Sequence, residues 1–271
     1  MMIDVNGAPA YGYTGGKAFD AARPTIVFLH GAQNDHSVWA LQSRYFAWHG
    51  WNVLAPDLPG HGRSGGDALA SVEAMADWLL ALLDAAGAQQ ALLVGHSMGS
   101  LIALEAAHRA PERVTGLALL GTTWPMKVSD SLLAASKDAL QSAIDMVNIW
   151  SHTGPIPRPA SPAPGFSATG MSRRLMQRMA ERNPAQLFHT DFSACNAYAR
   201  GGEAAASVRC PVLFVLGSRD VMTPPRSAQA LTAALRHGKI VTVDAGHAMM
   251  AEQPDAVLDA LVAFAGACAG S

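Results

Sequence analysis

The feature that most constrains the fold is an alternation of short apolar runs with amphipathic segments. Continuous apolar runs occur in six places, at residues 25–31, 51–58, 91–97, 114–122, 211–218 and 239–246. Such runs are typical of parallel strands, because helices cover both faces of a parallel sheet. Between them, segments such as 71–87 and 227–238 have helical periodicity and end at a glycine. The pattern predicts an α/β protein with a mostly parallel sheet.

The N-terminal residues depart from this pattern. Residues 2–16 read MIDVNGAPAYGYTGG, and the dipeptide Asn6-Gly7 lies between two short extended-looking runs. An Asn-Gly pair favours the tight turn of a β-hairpin, because both residues tolerate the left-handed conformation. We therefore expect an antiparallel start to the sheet.

A second departure covers the middle of the chain, where residues 124–206 contain no strand pattern. Helical patterns occur there instead, interrupted by a proline-rich loop at 154–165; they cover residues 129–150, 171–183 and 184–201. We predict a core formed by 1–123 and 207–271, with 124–206 inserted as a helical cap.

Composition and charge narrow the class of protein. The 271 residues carry a formal net charge of -2 and no dense basic run, which predicts binding neither to nucleic acid nor to a membrane. No signal peptide or membrane span is visible, so a cytoplasmic location is expected. The three cysteines are Cys195, Cys210 and Cys268, and none has the CxxC spacing of a zinc site or redox pair.

The stretch LVGHSMGSL places Ser97 between Gly95 and Gly99, after a strand-like run and before the helical pattern at 100–110. This arrangement matches the nucleophile elbow G-x-S-x-G. Its tight turn exposes the serine hydroxyl above the sheet and directs a helix N-terminus at it. A serine that only caps the helix is the alternative interpretation.

Two further residues suit the roles that a nucleophilic serine needs beside it. Asp220 follows the apolar run that ends near 218, and His247 follows the next run. Because carboxyl ends of parallel strands meet at one edge of a sheet, both residues should lie at the edge that carries Ser97. The chain order Ser, Asp, His is that of the α/β-hydrolases.

The sequence therefore resembles the α/β-hydrolase family with a helical cap. The resemblance is specific in the core and weak across the cap, and it rests on the stretches FLHGAQND, DLPGHGRS, GHSMGS, GSRDVMTP and AGHAMMAEQP. It implies an eight-stranded, mostly parallel sheet flanked by helices. It also implies a small-molecule substrate and neither a metal nor an organic cofactor, and it leaves the oligomeric state open.

The resemblance assigns roles to individual residues. It implies that Ser97 is the nucleophile, His247 the general base and Asp220 the acid that orients the base. The backbone N–H groups of Ala32 and Met98 are expected to form the oxyanion hole.

Several nearby residues compete for these roles. Asp57 also ends a strand, but in the family the aspartate of such a loop is usually structural. His30, His61 and His96 are alternatives to the general base, each with a structural role as the simpler interpretation. The stretch 60–65 fits GxGxxG, yet no helix starts in that loop, so we do not expect a dinucleotide.

These residues predict a serine hydrolase that cleaves a small to medium apolar carboxylic ester through an acyl-enzyme. A carbon–carbon hydrolase of the ring-cleavage type, a lactonase and a thioesterase use the same residues and remain alternatives. A receptor that retains the triad is an alternative of another class. In the segment 171–183, we expect an apolar face of Met171, Leu175 and Met179 to cover Ser97, opposite a basic face.

Overall fold

A computed structural model of the chain describes residues 1–20, 22–154, 167–183, 186–235 and 237–269. The predicted proline-rich loop lies outside these residues, apart from its first position. In the described part, eight strands form one sheet; they are β1 (Met2–Val5), β2 (Ala8–Tyr13), β3 (Thr25–Leu29), β4 (Asn52–Pro56), β5 (Ala91–His96), β6 (Val114–Leu120), β7 (Val212–Gly217) and β8 (Lys239–Val243).

The strand order across the sheet is β1-β2-β4-β3-β5-β6-β7-β8. Strand β2 pairs antiparallel with β1 and β4, whereas the strands from β3 to β8 run parallel. The predicted mostly parallel, eight-stranded α/β fold is therefore confirmed. The carboxyl ends of β3, β5, β7 and β8 meet at one edge of this sheet.

The N-terminal hairpin turns where the sequence predicts. Asn6 and Gly7 have φ angles of 55° and 82°. Positive φ at both central residues is the requirement of a two-residue hairpin turn, and asparagine and glycine meet it at little cost.

Eleven α-helices lie in the described residues. They are α1 (Ala40–Trp48), α2 (Val72–Ala85), α3 (Met98–Arg109), α4 (Asp130–Asp138), α5 (Leu140–Ser151), α6 (Ala168–Arg182), α7 (Leu187–Ala197), α8 (Gly201–Ser207), α9 (Gln229–Ala234), α10 (Met249–Glu252) and α11 (Pro254–Ala269). Across these described residues, no helix combines the length and the apolar character needed to span a bilayer.

Two predicted helices are interrupted in the structure. The pattern at 129–150 forms α4 and α5, which are separated at Ala139 with φ −145° and ψ 59°. The pattern at 184–201 forms α7 and is followed by the separate helix α8, starting at Gly201. Hydrophobic periodicity continues across both breaks, so the pattern alone did not locate them.

The inner strands of the sheet, β3 to β7, are buried on both faces apart from Thr115, whereas the edge strand β8 is largely exposed. Leu93 packs into an apolar cluster with Leu79 of α2 and Leu101 of α3. Its neighbours Leu92 and Val94 belong to a second cluster, on the other side of the sheet, which includes residues of α1 and α11. This alternation explains the continuous apolar runs of the inner strands, because side chains on both faces of these strands need an apolar environment. The run at 239–246 forms an edge strand instead, and its Ile240 is exposed.

In the described chain, the five helices α4 to α8 lie between β6 and β7. Four of them contribute to a third apolar cluster or its margin; its buried members are Leu132, Ala143, Ile144, Val147, Met176, Phe188 and Phe192. Ala32, which follows β3, and Met222, which follows β7, pack against this cluster. The apolar interior of the helical segment therefore reaches two loops at the carboxyl edge of the sheet.

The expected apolar face of α6 is wrong in part. Met171 is 57% exposed, whereas Met176 and Met179 are buried. Leu175 and Ala180 are half-buried beside them. The buried face is thus set one position later than predicted, because α6 packs through Met176 on the third cluster and through Met179 towards the loop after β4.

Candidate active site

Ser97 occupies a sharp turn between β5 and α3. Its φ of 53° and ψ of −120° are strained for a residue with a side chain. A side chain at Gly95 would collide with the carbonyl oxygen of Gly99, and one at Gly99 would collide with that of Leu29. The two glycines of the motif are therefore required by close backbone approach, which lets the strand, the serine and the helix meet in four residues.

Asp220 and His247 follow β7 and β8 and form a buried pair. The His247 Nδ1–H donates to Asp220 Oδ2 at 2.8 Å, and the two side chains are 6% and 0% exposed. Asp220 also accepts the backbone N–H groups of Met222 and Thr223 and the Thr223 hydroxyl. The carboxylate is thus fully hydrogen-bonded and holds the ring with Nε2 directed away from it.

The electrostatics of this pair favour an ionised aspartate. Burial alone would raise the pKa of the Asp220 carboxyl, but the charge and hydrogen bond of His247 and the donors of Thr223 hold it well below its usual range. The aspartate is consequently charged at neutral pH and stabilises positive charge on the His247 ring.

The backbone around His247 is held from both sides. Gly246 N–H donates to Glu252 at 2.6 Å, and Ala248 N–H donates to the carbonyl oxygen of Ser151 in α5. Glu252 also accepts the N–H and hydroxyl of Thr153. One buried glutamate therefore links the loop of His247 to the end of α5.

The ring of His96, the residue before Ser97, contacts His247. Its Nε2–H donates to the carbonyl oxygen of His247 at 2.9 Å, and the centroids of the two rings are 4.6 Å apart. A Cβ placed on Gly31 would lie 3.2 Å from the Ser97 Cβ and 3.3 Å from His96 Nδ1. One on Gly121 would lie 3.2 Å from the His247 ring. His96, the neighbour of Ser97 in the chain, thus contacts His247, and in the described chain Ser97 Oγ makes no hydrogen bond.

Two backbone donors stand next to Ser97. Within the described residues, the N–H groups of Ala32 and Met98 have no hydrogen-bond acceptor. Met98 is the first residue of α3, whose N-terminus carries unsatisfied donors and a partial positive charge. Ala32 follows Gly31, which contacts Ser97. Free donors in this position suit a developing oxyanion.

The competing aspartate has a different environment. Asp57 accepts the N–H and ring Nδ1–H of His36 at 2.8 and 2.7 Å, and the N–H of Arg63 at 2.8 Å. Burial opposes ionisation, yet these donors lower the pKa of the Asp57 carboxyl. Its side chain therefore joins the loops after β3 and β4, as the structural interpretation predicts.

The three other histidines have structural contacts. His30 donates from Nδ1 to the carbonyl of Gly31 and accepts the N–H of Leu58, and burial with the neighbouring His61 lowers its pKa to about 4. His61 contacts Asp191, and burial lowers the pKa of His96 to about 3. In the described chain none of the three hydrogen-bonds to Asp220, whose histidine partner is His247.

Asp35, His36 and Asp57 place three ligand-type atoms within 4.8 Å of one another. Asp35 is already bound by Ser37 and by the guanidinium of Arg178, while His36 donates its ring N–H to Asp57. These contacts satisfy the cluster internally, so it gives no reason to assign a metal.

The four arginines of α6 all have partners within the protein, and Arg182 donates to the carbonyl oxygen of Gly62. Arg173 pairs with Asp145 of α5, and Arg174 pairs with Glu181 of its own helix. Arg178 pairs with Asp35 of the core. These three guanidinium groups are 44 to 63% exposed and have carboxylate partners, so none of them is available to a substrate under the helix.

Sequence reasoning missed Glu252, Asp191 and Thr223. Thr223 stands three residues after Asp220, and that spacing permits a turn in which the aspartate accepts its N–H. Glu252 and Asp191 gave no signal: Glu252 joins the nearby Gly246 to Thr153, 99 residues earlier, and the partners of Asp191 are all distant in the sequence. Asp191, for example, accepts the N–H of Gln33, 158 residues earlier.

Comparison with known proteins identifies the family. The sequence profile of the alpha/beta hydrolase family matches residues 26–260. The chain belongs to the alpha/beta hydrolase family, and it is a hydrolase.

Several characterised relatives align with most of the chain. It is 25% identical over 248 residues to 3-oxoadipate enol-lactonase 1 of Acinetobacter baylyi, covering 89% of this chain and 88% of that protein. It is 29% identical over 250 residues to the pimeloyl-[acyl-carrier protein] methyl ester esterase of Aromatoleum aromaticum, covering 86% and 94%. It is also 25% identical to Protein ABHD8 of Bos taurus, of which it spans about half, namely 54%.

Solved structures support the fold. A thermophilic esterase superposes with a TM-score of 0.80 at 23% identity, covering 99% of this chain and 97% of that one. The enol-lactonase of Burkholderia xenovorans LB400 also superposes with a TM-score of 0.80, at 22% identity, covering 98% and 100%.

Proposed function

We propose that the protein hydrolyses small to medium apolar carboxylic esters through a Ser97–His247–Asp220 triad and an acyl-enzyme. The observation that carries this proposal is the buried Asp220–His247 hydrogen bond of 2.8 Å, located at the edge of the sheet where Ser97 is held in a strained turn. A serine becomes an effective nucleophile when a base oriented by a third group takes its proton.

In the proposed reaction, Ser97 Oγ attacks the ester carbonyl carbon while its proton moves to His247 Nε2. The imidazolium is stabilised by the charged Asp220 and then donates the proton to the departing alkoxide oxygen, which leaves as the alcohol. A water molecule next attacks the acyl carbon and gives its proton to His247. Ser97 Oγ regains that proton as the acid is released.

The free N–H groups of Ala32 and Met98 support an oxyanion hole for both tetrahedral intermediates. Donors fixed before the reaction stabilise charge as it develops and need no reorganisation. Loss of one such donor typically costs about 3 kcal/mol of transition-state stabilisation.

The surroundings favour an uncharged acyl group. The apolar cluster of the helical segment reaches Ala32 and Met222, which flank the proposed oxyanion loop and the acid loop. Burying an unpaired charge against such a surface is costly. Three of the four arginines of α6, namely Arg173, Arg174 and Arg178, already have carboxylate partners, which makes them poorer counter-charges for an anionic substrate.

Lactone hydrolysis is a second candidate, because one relative of nearly full-length coverage is an enol-lactonase. A lactone is an intramolecular ester, so the same attack opens the ring and leaves the alcohol attached to the acyl group. The helical segment 124–206 serves, in this proposal, as a cap over either substrate.

A substrate panel tests the proposal. We expect turnover of p-nitrophenyl esters, with kcat/KM highest for short to medium acyl chains, and none by a Ser97→Ala variant. Turnover of a simple γ- or δ-lactone tests lactone hydrolysis, and turnover of a vinylogous diketone tests carbon–carbon cleavage. Binding of the esters detected by a thermal shift without turnover would contradict the enzymatic function and favour a receptor.

A further inference from the structure

Helix α7 carries a buried carboxylate that binds two core loops at once. Asp191 Oδ2 accepts the backbone N–H of Gln33 at 2.8 Å and the His61 Nε2–H at 2.9 Å. The side chains of Asp191 and His61 are 0% and 1% exposed. Gln33 belongs to the loop after β3 and His61 to the loop after β4, so this carboxylate joins the helical segment to the edge of the sheet.

The contacts of His61 indicate that the pair is ionic. Nδ1 of His61 lies 3.1 Å from the carbonyl oxygen of Pro59, while Nε2 faces Asp191. Both ring nitrogens therefore face acceptors, an arrangement that suits the doubly protonated ring. Burial opposes the charge, but Asp191 outweighs it and raises the pKa of His61. The neighbouring His30 ring has an acceptor on one side and a donor on the other, which suits its neutral form.

Gln33 is held in a conformation that needs such an anchor. Its φ is 57°, in the left-handed region that residues with a side chain adopt at a cost of about 1 kcal/mol or more. The residue is fully buried, and its side-chain amide donates to the carbonyl of Met176 in α6. A carboxylate receiving its backbone N–H offsets this cost.

Ala32 immediately precedes Gln33 and is the proposed oxyanion donor after β3. The peptide plane between Ala32 and Gln33 is fixed at one end by the Gln33–Asp191 bond. The side chain of Asn34 also donates to the carbonyl oxygen of Ala32 at 3.0 Å. The Ala32 N–H belongs to the preceding peptide, whose Gly31 carbonyl oxygen accepts from His30 Nδ1 at 2.9 Å. Asp191 fixes the peptide on the other side of Ala32, so the direction of the Ala32 N–H depends on both bonds.

We infer that Asp191 is a positioning residue for the reaction: from α7, it fixes the oxyanion loop through Gln33 and so couples the placement of the helical segment to stabilisation of the transition state. This inference rests on the proposed function. Because the oxyanion forms only during the chemical step, the loss of Asp191 lowers kcat and leaves KM almost unchanged.

The decisive experiment compares Asp191→Ala and Asp191→Asn with the wild type on one p-nitrophenyl ester. Rates are normalised to functional sites by titration with a serine-directed phosphonate. We expect Asp191→Ala to lower kcat per site about 10- to 100-fold. This effect is no larger than the fall in kcat that follows removal of a whole oxyanion donor. Asp191→Asn retains an oxygen for the Gln33 N–H, so its kcat per site should stay within about threefold of the wild type.

A transition-state analogue separates positioning from folding. Inhibition by an aryl trifluoromethyl ketone, which forms a tetrahedral adduct with a nucleophilic serine, should weaken in Asp191→Ala by the same factor as kcat/KM.

Glu105→Gln is the matched control. Glu105 is also buried and binds Tyr198 at the end of α7, but in the described chain it contacts no residue of the oxyanion loop. The Glu105→Gln substitution should lower the melting temperature while leaving kcat per site and inhibition by the trifluoromethyl ketone unchanged.

Asp191→Ala leaves His61 as a buried charge without its partner. The double variant His61→Ala/Asp191→Ala removes both charges while still depriving Gln33 of its acceptor, and should show the same loss of kcat per site. Wild-type kcat and inhibition per site in both the single and the double variant would overturn the inference. Absence of turnover in the wild type would instead refute the proposed function itself.

Discussion

The ring of His96 donates a hydrogen bond to the backbone carbonyl oxygen of His247, linking the residue before the elbow serine to the base proposed for it. His96 Nδ1 has no hydrogen-bond partner among the described residues. One neutral tautomer, protonated at Nε2, satisfies this arrangement. The imidazolium form does not, because its Nδ1–H would be a buried donor without an acceptor.

This relationship predicts a specific acid sensitivity. Burial, assisted by His247, lowers the pKa of His96 from 6.5 to about 3. A histidine with a lowered folded-state pKa contributes stability that is present above pH 6.5 and is lost as the pH falls towards 3. We expect His96→Gln to flatten the pH dependence of the unfolding free energy in this range, as measured by urea denaturation. An unchanged slope would show that other groups govern it.

Replacing Asp220 should impair chemistry far more than structure. In Asp220→Asn, the amide can donate to His247 Nδ1 and stabilise the tautomer protonated at Nε2, which cannot accept the serine proton. We expect kcat to fall about 10³- to 10⁴-fold, by analogy with the triad aspartate of serine proteases. Near-ultraviolet circular dichroism should remain that of the wild type. Asp57→Asn serves as the comparison, with a loss of stability but a kcat of the same order as the wild type.

Asp220→Asn should also change the pH dependence of the unfolding free energy. Because the pKa of Asp220 is lowered on folding, its contribution is present above its ordinary value of 3.8 and disappears as the pH falls below it. The difference in unfolding free energy between the wild type and Asp220→Asn should therefore shrink between about pH 5 and about pH 2. A difference that stays constant over this range would contradict the lowered pKa.

Glu252 should stabilise the His247 loop. Glu252→Gln retains one acceptor oxygen, so either Gly246 or Thr153 loses its charged acceptor. We expect a loss of about 1–3 kcal/mol in unfolding free energy, the usual cost of leaving a buried donor poorly satisfied. Glu181→Gln, at an exposed pair on α6, should change stability by less than about 1 kcal/mol. Equal effects of both substitutions on the unfolding free energy would argue against a stabilising role for Glu252 between the His247 loop and the end of α5.

The charge preference can be measured with matched substrates. We expect a neutral ester to have a higher kcat/KM than its carboxylate-bearing analogue. Arg173→Ala should leave the ratio of the two unchanged, because its guanidinium is paired with Asp145 outside the helix. A much higher kcat/KM for the anion, lost in one of the α6 arginine variants, would show that an arginine turns inward.

The sequence allowed the sheet and the elbow to be predicted because both depend on local patterns. Continuous apolar runs follow from burial on both faces, and the elbow follows from a five-residue motif in which Gly95 approaches the backbone of Gly99. Asp220 and His247 could be placed because parallel strands end at one edge. Their hydrogen bond joins residues that a strand and a helix separate, and only the folded chain shows it.

The contacts of the helical segment were not predictable in the same way. In α6, Met171, Leu175, Met176 and Met179 permit more than one apolar face, and packing on the core loops selects the one around Met176. Asp191 looks, in the sequence, like an ordinary polar residue of a helix. Its role depends on Gln33 and His61, two residues that no helical or strand periodicity connects to it.

The central claim is that Ser97 is the nucleophile, and covalent labelling tests it most directly. A p-nitrophenyl alkylphosphonate should release one equivalent of p-nitrophenol as Ser97 Oγ binds the phosphorus, and peptide mass spectrometry should find the phosphonyl group on Ser97. His247→Ala should react far more slowly, and Ser97→Ala should not react. A phosphonyl group on another residue, or labelling of Ser97→Ala at the wild-type rate, would contradict the claim.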